Sequence, residues 1–86
     1  MELDQLRAFT AVAEEKNYTR AGERLYLSHS TMSRAVSALE QEFGVRLISR
    51  DNRVVGLTPE GEKLYELAKR LLDMANELEE KMHSWA

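Results

Sequence analysis

The apolar positions of the chain fall into three helical stripes, two short extended runs and one long helical seam. Leu3, Leu6, Phe9, Val12 and Ala13 recur at helical spacing, which predicts an amphipathic helix over 4–15. Glu14-Glu15-Lys16-Asn17 interrupts that stripe, and Asn17 is an N-cap for a short helix over 18–25 with Ala21 and Leu25 on its inner face. Tyr26-Leu27-Ser28 makes a three-residue turn with Leu27 directed inward, and Ser28 caps a third helix over 29–42. In that helix Met32, Ala35, Val36, Leu39 and Phe43 form the core stripe, and Gly44 ends it. Gly22 sits inside the second helix, where it costs about 1 kcal/mol relative to alanine. Close approach of the next helix accounts for it; a tolerated surface glycine is the alternative.

Two β-like runs follow, 46–50 and 54–57, with Asp51-Asn52-Arg53 between them, which predicts a tight hairpin. Thr58-Pro59-Glu60 then reads as an N-cap, a proline at the first helical position and an acid in the first turn. The helix that starts there runs from 59 to about 83, roughly 35 Å, far longer than a three-helix core needs. Leu64, Leu67, Leu71, Met74, Leu78 and Trp85 follow an a/d heptad pattern that Lys81 interrupts. Ala68, Ala75 and Met82 lie beside this seam, and Tyr65 and Leu72 extend the apolar surface on its other side. A small domain cannot cover so much apolar surface alone, so the seam is expected to pair with a second copy of the chain. The alternative is a plain C-terminal helix folded back on the core.

The stretch Asn17–Leu39 gives this pattern its chemistry. Two short helices around a tight turn form a helix-turn-helix, a module that lays its second helix in the DNA major groove. The second helix turns His29, Ser30, Ser33, Arg34 and Ser37 outward. Arg34 carries a forked, permanent charge that suits guanine O6 and N7 or a phosphate, and His29 can donate to or accept from a base edge. The short serines let the backbone approach the groove. Thr19, Arg20, Arg24, Ser28 and Thr31 are the candidates for phosphate contact, helped by the amides of Ser30 and Thr31 at the positive helix end. Arg50 and Arg53 flank the hairpin tip, where a wing reaches a minor groove or its phosphates. Ordinary solvated surface is the alternative for each of these side chains taken singly.

A net charge of −3 argues against a nucleic-acid partner until its distribution is read. Residues 1–15 hold one base against four acids and residues 58–86 hold four against seven, whereas residues 16–57 hold seven bases against four acids. The local field is what meets phosphate, and it is positive on the helix-turn-helix segment. Eighty-six residues make one domain that buries only about 60% of its unfolded surface, so a partner copy is expected to stabilise it. The absence of cysteine excludes disulfides and thiolate chemistry. No apolar run spans a bilayer and MELDQL is no signal peptide, so a soluble cytoplasmic protein is expected. Ser28-His29-Ser30 lacks an acid to orient the imidazole, and metal spacings and phosphate-cradling loops are missing, so neither catalysis nor a cofactor nor a metal is expected. The competing functional class is a small helical dimerisation and protein-interaction module without DNA readout.

Four stretches carry a closer likeness: MELDQLRAF at the start, YTRAGERLYLS, SRAVSALEQEFGVRL and LTPEGEKL. Together they resemble the N-terminal DNA-binding region of LysR-type transcriptional regulators, in order and without gaps over essentially the whole chain. The resemblance implies a mainly α fold with a small β-hairpin wing, a winged helix-turn-helix over 1–58 and a dimerising linker helix over 59–86. It implies a homodimer on an interrupted dyad in promoter DNA, with any small-molecule effector bound by a further domain that normally follows and is absent from this chain. The family's base-reading positions fall on His29, Ser30, Ser33 and Arg34, its phosphate contacts on Thr31, Thr19 and Arg20, and its wing contacts on Arg50 and Arg53. Two positions depart from the family pattern. His29-Ser30 stands where Gln-Pro is frequent, and Val54 and Gly56 stand where the wing often carries further bases.

Overall fold

The computed structural model describes residues 1–49 and 55–85. Helix α1 (Leu3–Glu15) opens with a reciprocal capping box between Glu2 and Gln5, a cap that lets it start one residue before the apolar stripe implied. Its face of Leu6, Phe9 and Val12 is fully buried, together with Ala8 and Ala11. Helix α2 (Tyr18–Leu25) is capped by the Asn17 side chain, which accepts the Arg20 amide at 2.8 Å. Helix α3 (His29–Phe43) begins at Ser28, whose Oγ accepts the Thr31 amide at 3.1 Å, and ends at Gly44 in the left-handed region with φ 67°. Met32, Val36 and Leu39 of α3 meet the α1 face, and Leu47 and Ile48 close the core from below.

Among the described residues, Arg46, Leu47 and Val55 lie outside the paired strands. Strands β1 (Ile48–Ser49) and β2 (Gly56–Leu57) pair antiparallel, with Ile48 opposite Leu57 and Ser49 opposite Gly56. Arg46 and Leu47 are held differently: the Glu40 carboxylate of α3 accepts the Leu47 and Ile48 amides at 2.8 and 3.2 Å, and Thr58 Oγ1 donates to the Arg46 carbonyl at 2.6 Å. The turn Asp51-Asn52-Arg53, with Arg50, lies outside the described residues.

Helix α4 (Pro59–Trp85) is capped by Thr58, whose Oγ1 accepts the Gly61 amide at 3.0 Å. Its first half packs on the body through Gly61, Ala68 and Leu72, with Leu64 and Tyr65 partly buried against the same core. Beyond Leu72 no described residue of α4 is buried, and the molecule extends 48 × 24 × 18 Å because the helix runs on past the body. No helix among the described residues is long and apolar enough to cross a membrane.

Two glycines answer to backbone contacts. A Cβ on Gly22 would lie 2.5 Å from the Leu27 carbonyl oxygen and 3.5 Å from Met32 Cγ, so the close approach expected there is chiefly with the turn and only secondarily with α3. A Cβ on Gly61 would collide with the Leu47 carbonyl oxygen, a contact without a sequence signal. Two expected core residues are displaced. Leu27 is 44% exposed because its amide turns back to the Gly22 carbonyl at 2.8 Å and leaves the side chain in a surface groove with Leu25 and Ala35. Phe43 is also 44% exposed, since the last turn of α3 passes beyond the α1 face.

Gly61→Ala is therefore expected to lower stability by roughly 1–3 kcal/mol, the range for overpacking against atoms that cannot step aside. Gly56→Ala meets nothing within 4 Å and serves as the control. Thermal unfolding followed by circular dichroism checks the pair; equal midpoints would remove the packing role of Gly61.

Candidate nucleic-acid interface

The reading face is built by the phase of α3. At about 100° per residue, His29, Ser30, Ser33, Arg34 and Ser37 fall within an arc of roughly 140° centred about 120° from the buried stripe of Met32, Val36 and Leu39, with Arg34 farthest from that stripe and His29 at its edge. His29, Ser30 and Arg34 are exposed, and Ser33 and Ser37 are half-buried at the base of the face. The His29 ring leans on Tyr18 of α2, with ring centroids 5.3 Å apart at 47°. That contact orients the imidazole at the mouth of the helix, and no spacing along the chain signals it.

Around the N-terminus of α3 the hydroxyls form a chain: Ser28 Oγ lies 2.8 Å from Thr31 Oγ1 and 3.3 Å from Ser30 Oγ. The Thr31 amide, expected to serve a phosphate, is taken by the Ser28 cap. Ser28 is therefore a cap first, while the Ser30 hydroxyl is exposed at the helix end, where the dipole favours an anion. On α2, Thr19 and Arg20 are exposed.

Arg24 is placed otherwise. Its guanidinium reaches back to α1, 2.7 Å from Glu14 Oε1 and 3.4 Å from Glu15 Oε2. Glu14 Oε2 also accepts the Tyr65 hydroxyl at 2.5 Å and lies 3.4 Å from Lys69 Nζ, both on α4. One carboxylate thus joins three helices. Partial burial pushes its pKa up, but the hydrogen bonds from Tyr65 and Arg24 and the charge of Lys69 outweigh this and hold Glu14 below the usual carboxylate range. The same bonds push the Arg24 guanidinium and the Tyr65 hydroxyl up.

The long seam divides in two. Leu64 is partly buried against the chain's own core. Leu67, Leu71, Met74, Leu78 and Trp85 remain exposed, with Met74 at 67% and Trp85 at 80%. Met82 joins them at 54%. A contiguous apolar strip of this length marks an interaction surface. Among the described residues no cluster of His, Asp or Glu could hold a metal ion.

Comparison with known proteins now decides the family. The profile of bacterial regulatory helix-turn-helix proteins of the lysR family matches residues 3–62. The chain belongs to the LysR family. Among its relatives, the transcriptional regulator YfeR of Shigella flexneri is 49% identical over 74 residues, covering 86% of this chain and 24% of that protein. BenM of Acinetobacter baylyi is 40% identical over 78 residues, 91% of this chain and 26% of BenM. The crystal structure of the BenM DNA-binding domain with catB site 1 DNA superimposes with a TM-score of 0.93 at 37% identity, covering 98% of this chain and 93% of that one. The chain spans about a quarter of the length of the curated relatives it matches.

The lowered Glu14 value fixes the sign of an acid effect. A carboxylate depressed on folding contributes stability that is present above its ordinary pKa of 4.5 and is lost as pH falls through the lowered folded value. Glu14→Gln is expected to unfold at a lower temperature than the parent chain at pH 7, with the gap closing as the solution is acidified below pH 4.5. Melting curves across that range check this; a gap that persists undiminished in acid would mean that the Glu14 charge is not its source.

Proposed function

We propose that this chain is the sequence-specific DNA-binding part of a bacterial transcription regulator of the LysR family, acting as a homodimer on a two-fold promoter site. The observation that carries this reading is the outward face of α3, set on a body that superimposes on a relative bound to DNA. In this reading α3 enters the major groove. Arg34 anchors to a guanine edge or a phosphate, His29 and Ser33 discriminate among bases, and Ser30 and Ser37 line the close approach. Thr19 and Arg20 touch the backbone that α2 crosses, with Ser28 and Thr31 beside them. We take Arg24 as a structural residue first, since a phosphate contact would have to draw it from Glu14 and Glu15. Arg50 and Arg53 are assigned to the wing on the strength of their place in the sequence.

We divide the work at residue 58: residues 1–58 read DNA and residues 59–86 pair two copies. The exposed strip Leu67, Leu71, Met74, Leu78 and Trp85 supports the pairing, and Ala75 beside it permits close helix approach. Chemistry on a bound substrate forms no part of this function, and the cytoplasm, where bacterial promoters lie, is its place. Sensing of a small-molecule effector would belong to another part of a longer protein.

Arg34→Ala is expected to weaken binding by about 1–3 kcal/mol and to blur preference at one position in each half-site. Binding-site selection compares the two; an unchanged sequence preference would overturn the base-reading role. Leu71→Glu, which sets a charge in the middle of the strip, is expected to shift the chain to a monomer in sedimentation and to remove the preference for two half-sites over one. A dimer that survives this change would place the pairing surface elsewhere. DNA binding itself is expected to fall steeply with salt, by about 0.9 in log K per log unit of salt for each phosphate neutralised.

A further inference from the structure

The distance between two recognition helices in a dimer depends on how each body sits on its α4. Contacts at three levels of the helix attach them. At the start of α4, Gly61 lies against the Leu47 carbonyl, which fixes where the helix begins but not the direction in which it leaves. Further along, Ala68 and Leu72 press on the core. Apolar contact is non-directional, and the small Ala68 side chain leaves room to rock. The Thr58 bonds to Arg46 and Gly61 act at the helix start, where α4 pivots. Farther along, the contact with direction is that of Tyr65: its hydroxyl donates to Glu14 Oε2 at 2.5 Å, a short charge-assisted hydrogen bond, with Lys69 3.4 Å from the same atom. The other oxygen of that carboxylate holds Arg24, on the helix that carries Thr19 and Arg20.

We infer that Glu14 and Tyr65 are positioning residues that set the angle between the pairing helix and the DNA-reading body, and through it the half-site spacing the dimer accepts. The inference rests on the proposed DNA binding and on pairing through α4. The lever is long enough to matter. From Tyr65 to Trp85 the helix runs roughly 30 Å, so a tilt of about 6° at Tyr65 moves its far end, and the partner with it, by roughly 3 Å. One base-pair step is about 3.4 Å. A small loosening at Glu14 therefore shifts the register of the partner's recognition helix by about one base pair.

The test is a binding-site selection on dyads with randomised spacers, run on the parent chain, Tyr65→Phe and Glu14→Gln. Tyr65→Phe removes only the hydroxyl and keeps the ring against the core. The expected result is that spacers one base pair shorter and longer gain roughly three- to tenfold relative to the preferred one, the range a single hydrogen bond covers, while the base preference within each half-site stays the same. Ile48→Val, a core change away from this cluster, is expected to lower the melting temperature without altering the spacer profile. If the parent chain selects dyads and the Glu14 and Tyr65 variants keep its spacer profile, or if Ile48→Val broadens the profile as much as they do, the positioning role is overturned while DNA binding stands. If the parent chain selects no sequence at all, the DNA-binding reading falls and this inference with it.

Discussion

Backbone carbonyls from two loops occupy the space where side chains would otherwise stand, and the geometry of the molecule follows from them. The Leu27 carbonyl lies against Gly22 and the Leu47 carbonyl against Gly61. The first contact closes the turn between α2 and α3 and so sets the direction of the recognition helix. The second seats the start of α4 on the loop that leads into β1. A methyl group at either glycine would push backbone against backbone, which has no rotamer by which to give way. The α1 face of Leu6, Phe9 and Val12 supplies the burial that holds these contacts shut, because Met32, Val36, Leu39, Leu47 and Ile48 all close on it.

Around that frame, polar groups direct what burial alone leaves loose. Glu40 reaches from α3 to the amides that lead into β1, so the recognition helix and the root of the hairpin are tied by one carboxylate. Thr58 bonds both the Arg46 carbonyl and the Gly61 amide, joining the hairpin root to the start of α4. Glu14 joins α1, α2 and α4. Each is a directional contact between elements that would otherwise slide on apolar surface. A DNA reader depends on such contacts, since its partner presents groups at fixed intervals and an error of one base step changes which bases are met.

At the mouth of α3 the chain places His29 and Ser30, and His29 rests on Tyr18. An imidazole held by a ring has fewer orientations to lose when it meets a base edge than a free side chain does. The tyrosine thus takes part in the preference that the proposed function assigns to its neighbour, although it lies on the helix that crosses the backbone.

The sequence by itself determined the helices, their caps and the face that α3 presents, because these depend on spacing along a single element. Asn17, Ser28, Thr58 and Gly44 announce the helix ends, and the 3.6-residue period places Arg34 opposite Met32. It also exposed the seam of α4, since a heptad stripe needs no knowledge of what lies beside it. The tertiary structure decided the rest, through contacts between residues far apart in the chain. Leu64, at the start of the seam, is partly covered by the chain's own core, which no heptad spacing foretells. Arg24 is held by Glu14, ten residues away and on another helix, and no periodicity encodes such a pairing. Gly61 meets the Leu47 carbonyl where its side chain would be, a contact with a loop that no spacing along α4 reveals. Local patterns are written in order along the chain, whereas the angle at which two finished elements meet is set only when both are present and packed.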